Sequence, residues 1–245
     1  MNLDLTPRPL AAPRGRRILA HAGIELTNVL RNGEQLLLTL VIPLGLLVVA
    51  RGWLAGIVDA TTFPAGVLAL AIWSTGFTSL AINTGFELRY GVLERLAATP
   101  LRKADVIAGK AASVAIIAAG QLLLIGGAAI ALWWRPEPTP AGTLIALLDI
   151  AFALITFASW ALILASLLKA ELVLAVGNLI YLVLAGAGLV VAVPSLWWLP
   201  TAALGDGLRH WTHGLAPAPL TPLLVLITWA IVSAAIARKV FRWMS

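Results

Sequence analysis

The chain has 245 residues, of which 60% are hydrophobic and only 11% charged, against about 25% charged in soluble domains. Its 17 basic and 11 acidic side chains are too few to cover a water-soluble globule of this size, so lipid must be the main solvent, and disorder, which needs low hydrophobicity and high charge, is excluded. The absence of cysteine removes disulfide scaffolds, thiol catalysis and cysteine metal sites, while the net charge of +6 keeps nucleic acid in view until the charges are placed.

Residues 1–15, rich in proline and arginine, read as a flexible cytoplasmic tail. Over 16–33, Ile18, Leu19, Ala22, Leu26, Val29 and Leu30 recur at helical spacing, with Arg16, Arg17, Glu25, Asn28 and Arg31 on other faces. That pattern predicts an amphipathic helix lying in the inner headgroup region. A spanning helix needs about 20 mostly apolar residues. Six stretches within 36–237 meet that need: Leu36–Ile57, Phe63–Phe86, Ala108–Trp134, Ala141–Leu168, Leu172–Val193 and Leu220–Ala237. The fold class is therefore an all-α polytopic membrane protein with six transmembrane helices. Small residues at Ala111, Ala115 and Ala119 in the third span favour close helix packing.

Placing the N-terminus inside puts 14 of the 17 basic side chains at the inner face or in its segments, and leaves Arg51, Arg135 and Arg209 at the outer side. This positive-inside excess puts both termini, including the basic stretch 238–245, in the cytoplasm, and predicts a plasma (inner) membrane of a bacterium. The basic charge then faces anionic lipid, and nucleic acid is not a partner. Trp53, Trp133, Trp134, Trp197, Trp198 and Trp211 fall at the outer interface, where indole is favoured.

The inner segment 87–103 carries the most information. Leu88, Val92, Leu93 and Leu96 form an apolar stripe, while Arg89, Glu94 and Arg95 project elsewhere. Thr99 followed by Pro100 reads as an N-cap and a first helical residue, so a short helix ends there and a new one leads into the third span. A short charged helix joined rigidly to two spans suits docking into a soluble protein.

Asp149 lies in the fourth span, about 12 Å from the outer face at 1.5 Å per residue. A lone ionised carboxylate there would be costly, so it is protonated or paired, and Arg51 is the candidate partner. Asn83, Gln121 and Asn178 are expected to make interhelical hydrogen bonds. In the outer segment 194–219, His210 and His213 have only Asp206 as a neighbouring ligand type, and no metal site is assigned. The spans offer one carboxylate and no histidine, so no catalytic residues are assigned.

The string Tyr90-Gly91-Val92-Leu93-Glu94-Arg95-Leu96, then Ala98-Thr99-Pro100-Leu101, then Gly109-Lys110, resembles the cytoplasmic coupling segment of type-2 ABC exporter permeases. Leu30-Arg31-Asn32 with Pro43, and Leu199-Pro200 with Leu208-Arg209, are similar to that family's approach to its first span and its outer segment. The likeness runs from about Ile18 to Arg238 and is nearest to the daunorubicin-resistance-type drug permeases, which Tyr90 and Ala97-Ala98 fit loosely. The resemblance implies a half-transporter that pairs with a second copy or a related permease and with two cytoplasmic ABC ATPases. It implies that Glu87, Arg89, Gly91, Glu94, Arg95, Thr99 and Pro100 carry the coupling, and that the pathway follows spans one and five, where Asn178 lies.

A phosphate loop would need Gly at 104 and Ser or Thr at 111, and both positions are alanine. The chain is thus read as binding no cofactor itself, with ATP and Mg held by the partner ATPase. Its apolar spans favour a hydrophobic or amphiphilic substrate such as a drug or lipid. The alternatives are a secondary carrier or channel using Asp149, and an intramembrane enzyme. Neither has a use for a docking helix at 87–103.

Overall fold

The computed structural model describes residues 11–33, 37–53, 56–189, 192–214 and 219–241. The predicted tail through residue 10, the predicted start of span one at 36, parts of span five and the outer segment, and the C-terminus from 242 lie outside the described residues.

Among the described residues the chain is helical throughout. Helix α1 is Arg14–Arg31 and α2 is Ile42–Arg51, reached through a π turn over Leu37–Val41. Helix α3 runs Phe63–Arg89 and contains a π turn over Ser74–Ser79. Then come α4 (Val92–Ala97), α5 (Lys103–Leu132), α6 (Pro140–Leu167) and α7 (Ala170–Leu184), which opens into a π turn over Ala185–Leu189. A 3-10 turn at Pro194–Leu196 leads to α8 (Pro200–Thr212) and α9 (Thr221–Val240). Pro64, Pro140, Pro200 and Pro222 stand in the first turn of their helices, where a missing N–H leaves no bond unmade.

Among the described residues four helices are long and apolar enough to cross a membrane: α3, α5, α6 and α9. Their bounds differ from the predicted second, third, fourth and sixth spans by a few residues. The first and fifth predicted spans are shorter than read from sequence, as apolar helices Thr39–Arg51 and Ala170–Leu184. Both are ended by the backbone: α2 closes at Gly52, ahead of Gly56 (φ 85°), and the π turn after α7 ends around Gly188 (φ 97°). Neither positive φ suits a side chain bearing a Cβ.

Helix α3 is the centre of the molecule. Its apolar stretch is 89% buried, against 22–44% for the other three long helices. Trp73 is fully buried there, stacked on Phe77 at 4.4 Å between centroids and meeting Phe157 edge-on at 4.7 Å. Trp160 continues the cluster, donates to Ser233 Oγ at 3.0 Å and packs on Trp229, fastening α9 along α6.

The two ends differ in chemistry. At one end the tryptophans bond internally: Trp133 and Trp134 donate to Ala60 O and Thr61 O at 2.9 and 2.8 Å, and Trp211 to Thr143 Oγ1 at 3.1 Å. Trp134 is buried rather than facing lipid, because it clamps the loop before α3. The small-residue face Ala111, Ala115 and Ala119 is exposed, since α5 packs through Val106, Gly109, Ser113 and Ala118 instead. The opposite, basic end carries α1, α4 and the charged cluster described next.

Candidate functional site

Helix α4 is held by one buried anchor. Gly91 at φ 63° turns the chain out of α3, a conformation that disfavours any Cβ. Leu93, 1% exposed, then inserts among Val106, Leu162 and Phe241, with Leu88, Leu96, Leu101 and Ile107 around it. The opposite face, with Arg89, Tyr90, Glu94 and Arg95, is exposed. Arg89 forms an ion pair with Glu171 at the start of α7, and its guanidinium stands 5.8 Å above the Tyr90 ring. Arg95 Nη2 donates to Tyr90 O at 3.1 Å. Leu88, Leu93 and Leu96 of the predicted apolar stripe face this core, and Arg89, Glu94 and Arg95 are exposed.

The Thr99-Pro100 reading needs correction. Helix α5 begins at Lys103 with Arg102 as its N-cap, and the Asp105 carboxylate accepts from Arg102 N at 3.2 Å. Asp105, three residues on, takes the capping role that the sequence reading gave to Thr99. Thr99 instead donates to Leu96 O at 2.6 Å and accepts from Leu101 N at 3.3 Å, closing α4.

Helix α1 lies against α5, and polar groups make the contact. Asp105 accepts from Arg14 Nε at 2.8 Å and lies 3.2 Å from Arg17 Nη2. Arg17 also donates to Pro100 O at 2.5 Å. Further along, Lys110 Nζ is buried between two carboxylates, 2.7 Å from Glu25 Oε1 and 2.6 Å from Glu87 Oε2. His21 Nε2 lies 3.4 Å from the same Glu25 oxygen. A Cβ on residue 109 would come within 2.5 Å of His21 Cδ2, so glycine is what lets α1 cross this closely. Burial holds the His21 imidazole below its ordinary pKa; Glu25 opposes this and Lys110 adds to it. One ammonium between two carboxylates joins α1, α3 and α5 into a single charged knot.

The knot accounts for the packed face of α1. The packed face is Arg17, His21, Ala22, Glu25 and Val29, whereas Leu19, Ile24 and Leu30 are exposed. Glu87 likewise turns inward to Lys110 rather than joining the exposed coupling surface. The sequence reading missed His21, Glu25 and Asp105 as site residues and used Lys110 as an inner charge and, with Gly109, as part of the family motif, without giving it a partner. A lysine next to a glycine at the mouth of an apolar helix was the available signal, because such a cation needs an acid.

Arg51 and Asp149 do not pair. Arg51 is exposed at the end of α2, beside Gly56, Val58 and Trp133. Asp149 is buried beneath α8, and neither of its oxygens has a hydrogen-bond partner among the described residues. The two residues face different neighbours because α8 lies over Asp149. Asn178 lines a cavity of about 380 Å³ with Thr39, Ser74, Thr78, Asn83 and Phe86, between the approach to α2, the π turn of α3, and α7. Gln121 bridges beside it, accepting from Thr75 Oγ1 at 2.8 Å and donating to Thr39 O at 3.1 Å. At the other end His210 Nδ1 is engaged by Asp206 O at 2.7 Å.

The family model described as ABC-2 type transporter matches residues 17–218, which takes in α1, the charged knot, α4, the cavity and α8. The chain belongs to the ABC-2 type transporter family. No curated protein matches its sequence. As an ABC-2 membrane domain it is a membrane protein and a transport permease, and members of this family typically work with an ATPase partner. In this ABC-2 permease, the part of the site that is exposed is α4, and the part that is buried is the knot behind it.

Proposed function

We propose that the chain is the membrane-spanning subunit of an ABC exporter, in which a pair of cytoplasmic ATPases docks on α4 and drives transport. The observation that carries this reading is the exposed Glu94-Arg95 face of α4, seated by Leu93 on two long helices in a chain of this family. The ATPases bind ATP and Mg. A force on α4 passes to α3 directly and to α5 through the Leu93–Val106 contact, and the Lys110 knot spreads it to α1. Arg89 and Glu171 carry it to α7. In this reading the chain makes six crossings of a bacterial inner membrane, α2 and α7 completing theirs with the turns that flank them, and both termini are cytoplasmic.

The cavity supports a pathway next to α2 and α7, completed by a second copy or a related permease. Its hydroxyls and amides beside Phe86 and Leu174 suit a hydrophobic or amphiphilic molecule such as a drug or lipid. The daunorubicin-type drug permeases are the branch we favour.

The test is co-purification. The tagged chain, expressed with its genomic neighbours in mild detergent, recovers an ATPase in equal stoichiometry, and that ATPase is lost when residues 87–99 are disrupted. A stable chain that never recovers an ATPase overturns the proposal.

A further inference from the structure

The permease reading leaves Asp149 without a role. It is 1% exposed on the face of α6 that α8 covers. A Cβ on Gly207 of α8 would collide with Asp149 Oδ2, lie 3.1 Å from its Cγ, and touch Pro222 of α9 at 3.6 Å. Glycine at 207 therefore lets α8 seat directly on the carboxyl group. Neither oxygen finds a donor among the described residues.

Helices α8, α9 and α3, which pack on α6, supply no countercharge at hydrogen-bond distance. On α8, Arg209 donates to Leu189 O and Gly188 O, both at 2.8 Å, and to Asp206 Oδ1 at 2.7 Å. The third titratable group of α8, His210, is engaged with Asp206 O. The charged residues of α9 are Arg238 and Lys239, and those of α3 are Glu87 and Arg89, all at the opposite end of the molecule. An ionised carboxylate in such a place loses its hydration and gains nothing in exchange. The packed arrangement is compatible with the neutral acid and not with the anion.

We propose that α8 is a proton-latched gate: it packs on α6 while Asp149 keeps its proton, and loss of that proton releases it. The packed state binds the proton more tightly than the released state, so by linkage each favours the other. Acid closes the latch and base opens it. Through the titrating range the released-to-packed ratio rises up to about tenfold per pH unit for one proton. Arg209 ties α8 to the end of the α7 turn, so release reaches the helix that supplies Leu174 and Asn178 to the cavity. As a gate the device rests on the permease reading. As a latch it is a property of this chain alone.

The experiment is hydrogen–deuterium exchange on the full chain in lipid nanodiscs, without an ATPase, from about pH 5 to about pH 9. Rates are corrected for the intrinsic pH dependence of exchange, and the buried length of α3 serves as the internal reference. In the wild type the amides of Pro200–Thr212 lose protection as pH rises, by up to about tenfold per unit across one titration. Asp149→Asn, a neutral isostere, stays protected at every pH, and Asp149→Leu serves the same purpose if the amide does not fold. A wild type whose α8 protection ignores pH overturns the proposal, as does an equal loss of protection in the neutral variants. Because no ATPase is present, this failure is separate from failure of the permease reading, which co-purification reports.

Discussion

Lys110 Nζ lies 2.7 Å from Glu25 Oε1, and the two residues are 85 positions apart in the chain. The contact joins the middle of a surface helix to the mouth of a long apolar one. Glu87 completes it from a third helix at 2.6 Å. Lys110 and Glu25 are buried and Glu87 is part-buried, so the ammonium meets both countercharges with little water between them.

Removing the cation should expose that dependence. Lys110→Met leaves Glu25 and Glu87 facing each other without a countercharge, a loss of about 3–5 kcal/mol. The thermal unfolding midpoint in detergent, followed by tryptophan fluorescence, should fall sharply. Adding Glu25→Gln and Glu87→Gln to that variant should restore part of the loss, because uncharged partners need no cation. A single variant as stable as wild type would show that the knot does not hold α1.

The crossing at Gly109 predicts a more local effect. Gly109→Ala forces a methyl group into the His21 ring and should cost about 1–3 kcal/mol through overpacking. Exchange protection should fall in Arg14–Arg31 and leave α6 and α9 unchanged. Uniform loss across the chain would contradict a hinge-like crossing at this position.

His21 gives the basic end a sensitivity to acid. Its folded-state pKa is lowered by burial, so between that lowered value and about 6.5 the unfolded chain binds more protons than the native one. Stability therefore rises with pH through this window and levels off above it, and acidification below about pH 6.5 weakens the fold. The groups facing the imidazole are Glu25 and Lys110, with Glu87 behind them. The unfolding midpoint of His21→Gln should depend less on pH than that of wild type in this window.

Helix α4 separates docking from stability. Exchanging Glu94→Arg with Arg95→Glu alters only exposed charges and should change stability by less than about 0.5 kcal/mol, yet ATP-driven transport should be lost. Leu93→Ala removes the anchor and should cost about 2–5 kcal/mol. Transport assays in proteoliposomes beside thermal melts distinguish the two. Intact transport in the charge exchange would remove α4 from the coupling role.

The long apolar helices were legible because hydrophobic length is a local property, and α3, α5, α6 and α9 lie where the apolar runs lie. The stripe of α4 was legible for the same reason: Leu88, Leu93 and Leu96 all face its small core. Glu25 was misread because periodicity sorts residues by face without saying what covers a face. A polar face packed on another helix looks the same in sequence as one left in water. Thr99-Pro100 misled because the pair is a good local helix start, while Asp105 offered a better cap three residues past Arg102. The Arg51–Asp149 pairing failed because Asp149 is covered by α8, a short helix whose position no local pattern specified.

The π turn at Ser74–Ser79 sets the phase of α3. One residue more than an α-helical turn rotates everything after it by about 100° relative to everything before it. Trp73 and its aromatic neighbours occupy one sector, and the rotation brings Asn83 to the cavity and Glu87 to Lys110. Deleting Thr78 would let the segment anneal into regular helix, with no charge or aromatic contact removed by the edit itself. The cavity wall and the acid of the knot would then swing out of alignment together. The angular bookkeeping of this one helix makes the cavity and the charged knot depend on the same extra residue.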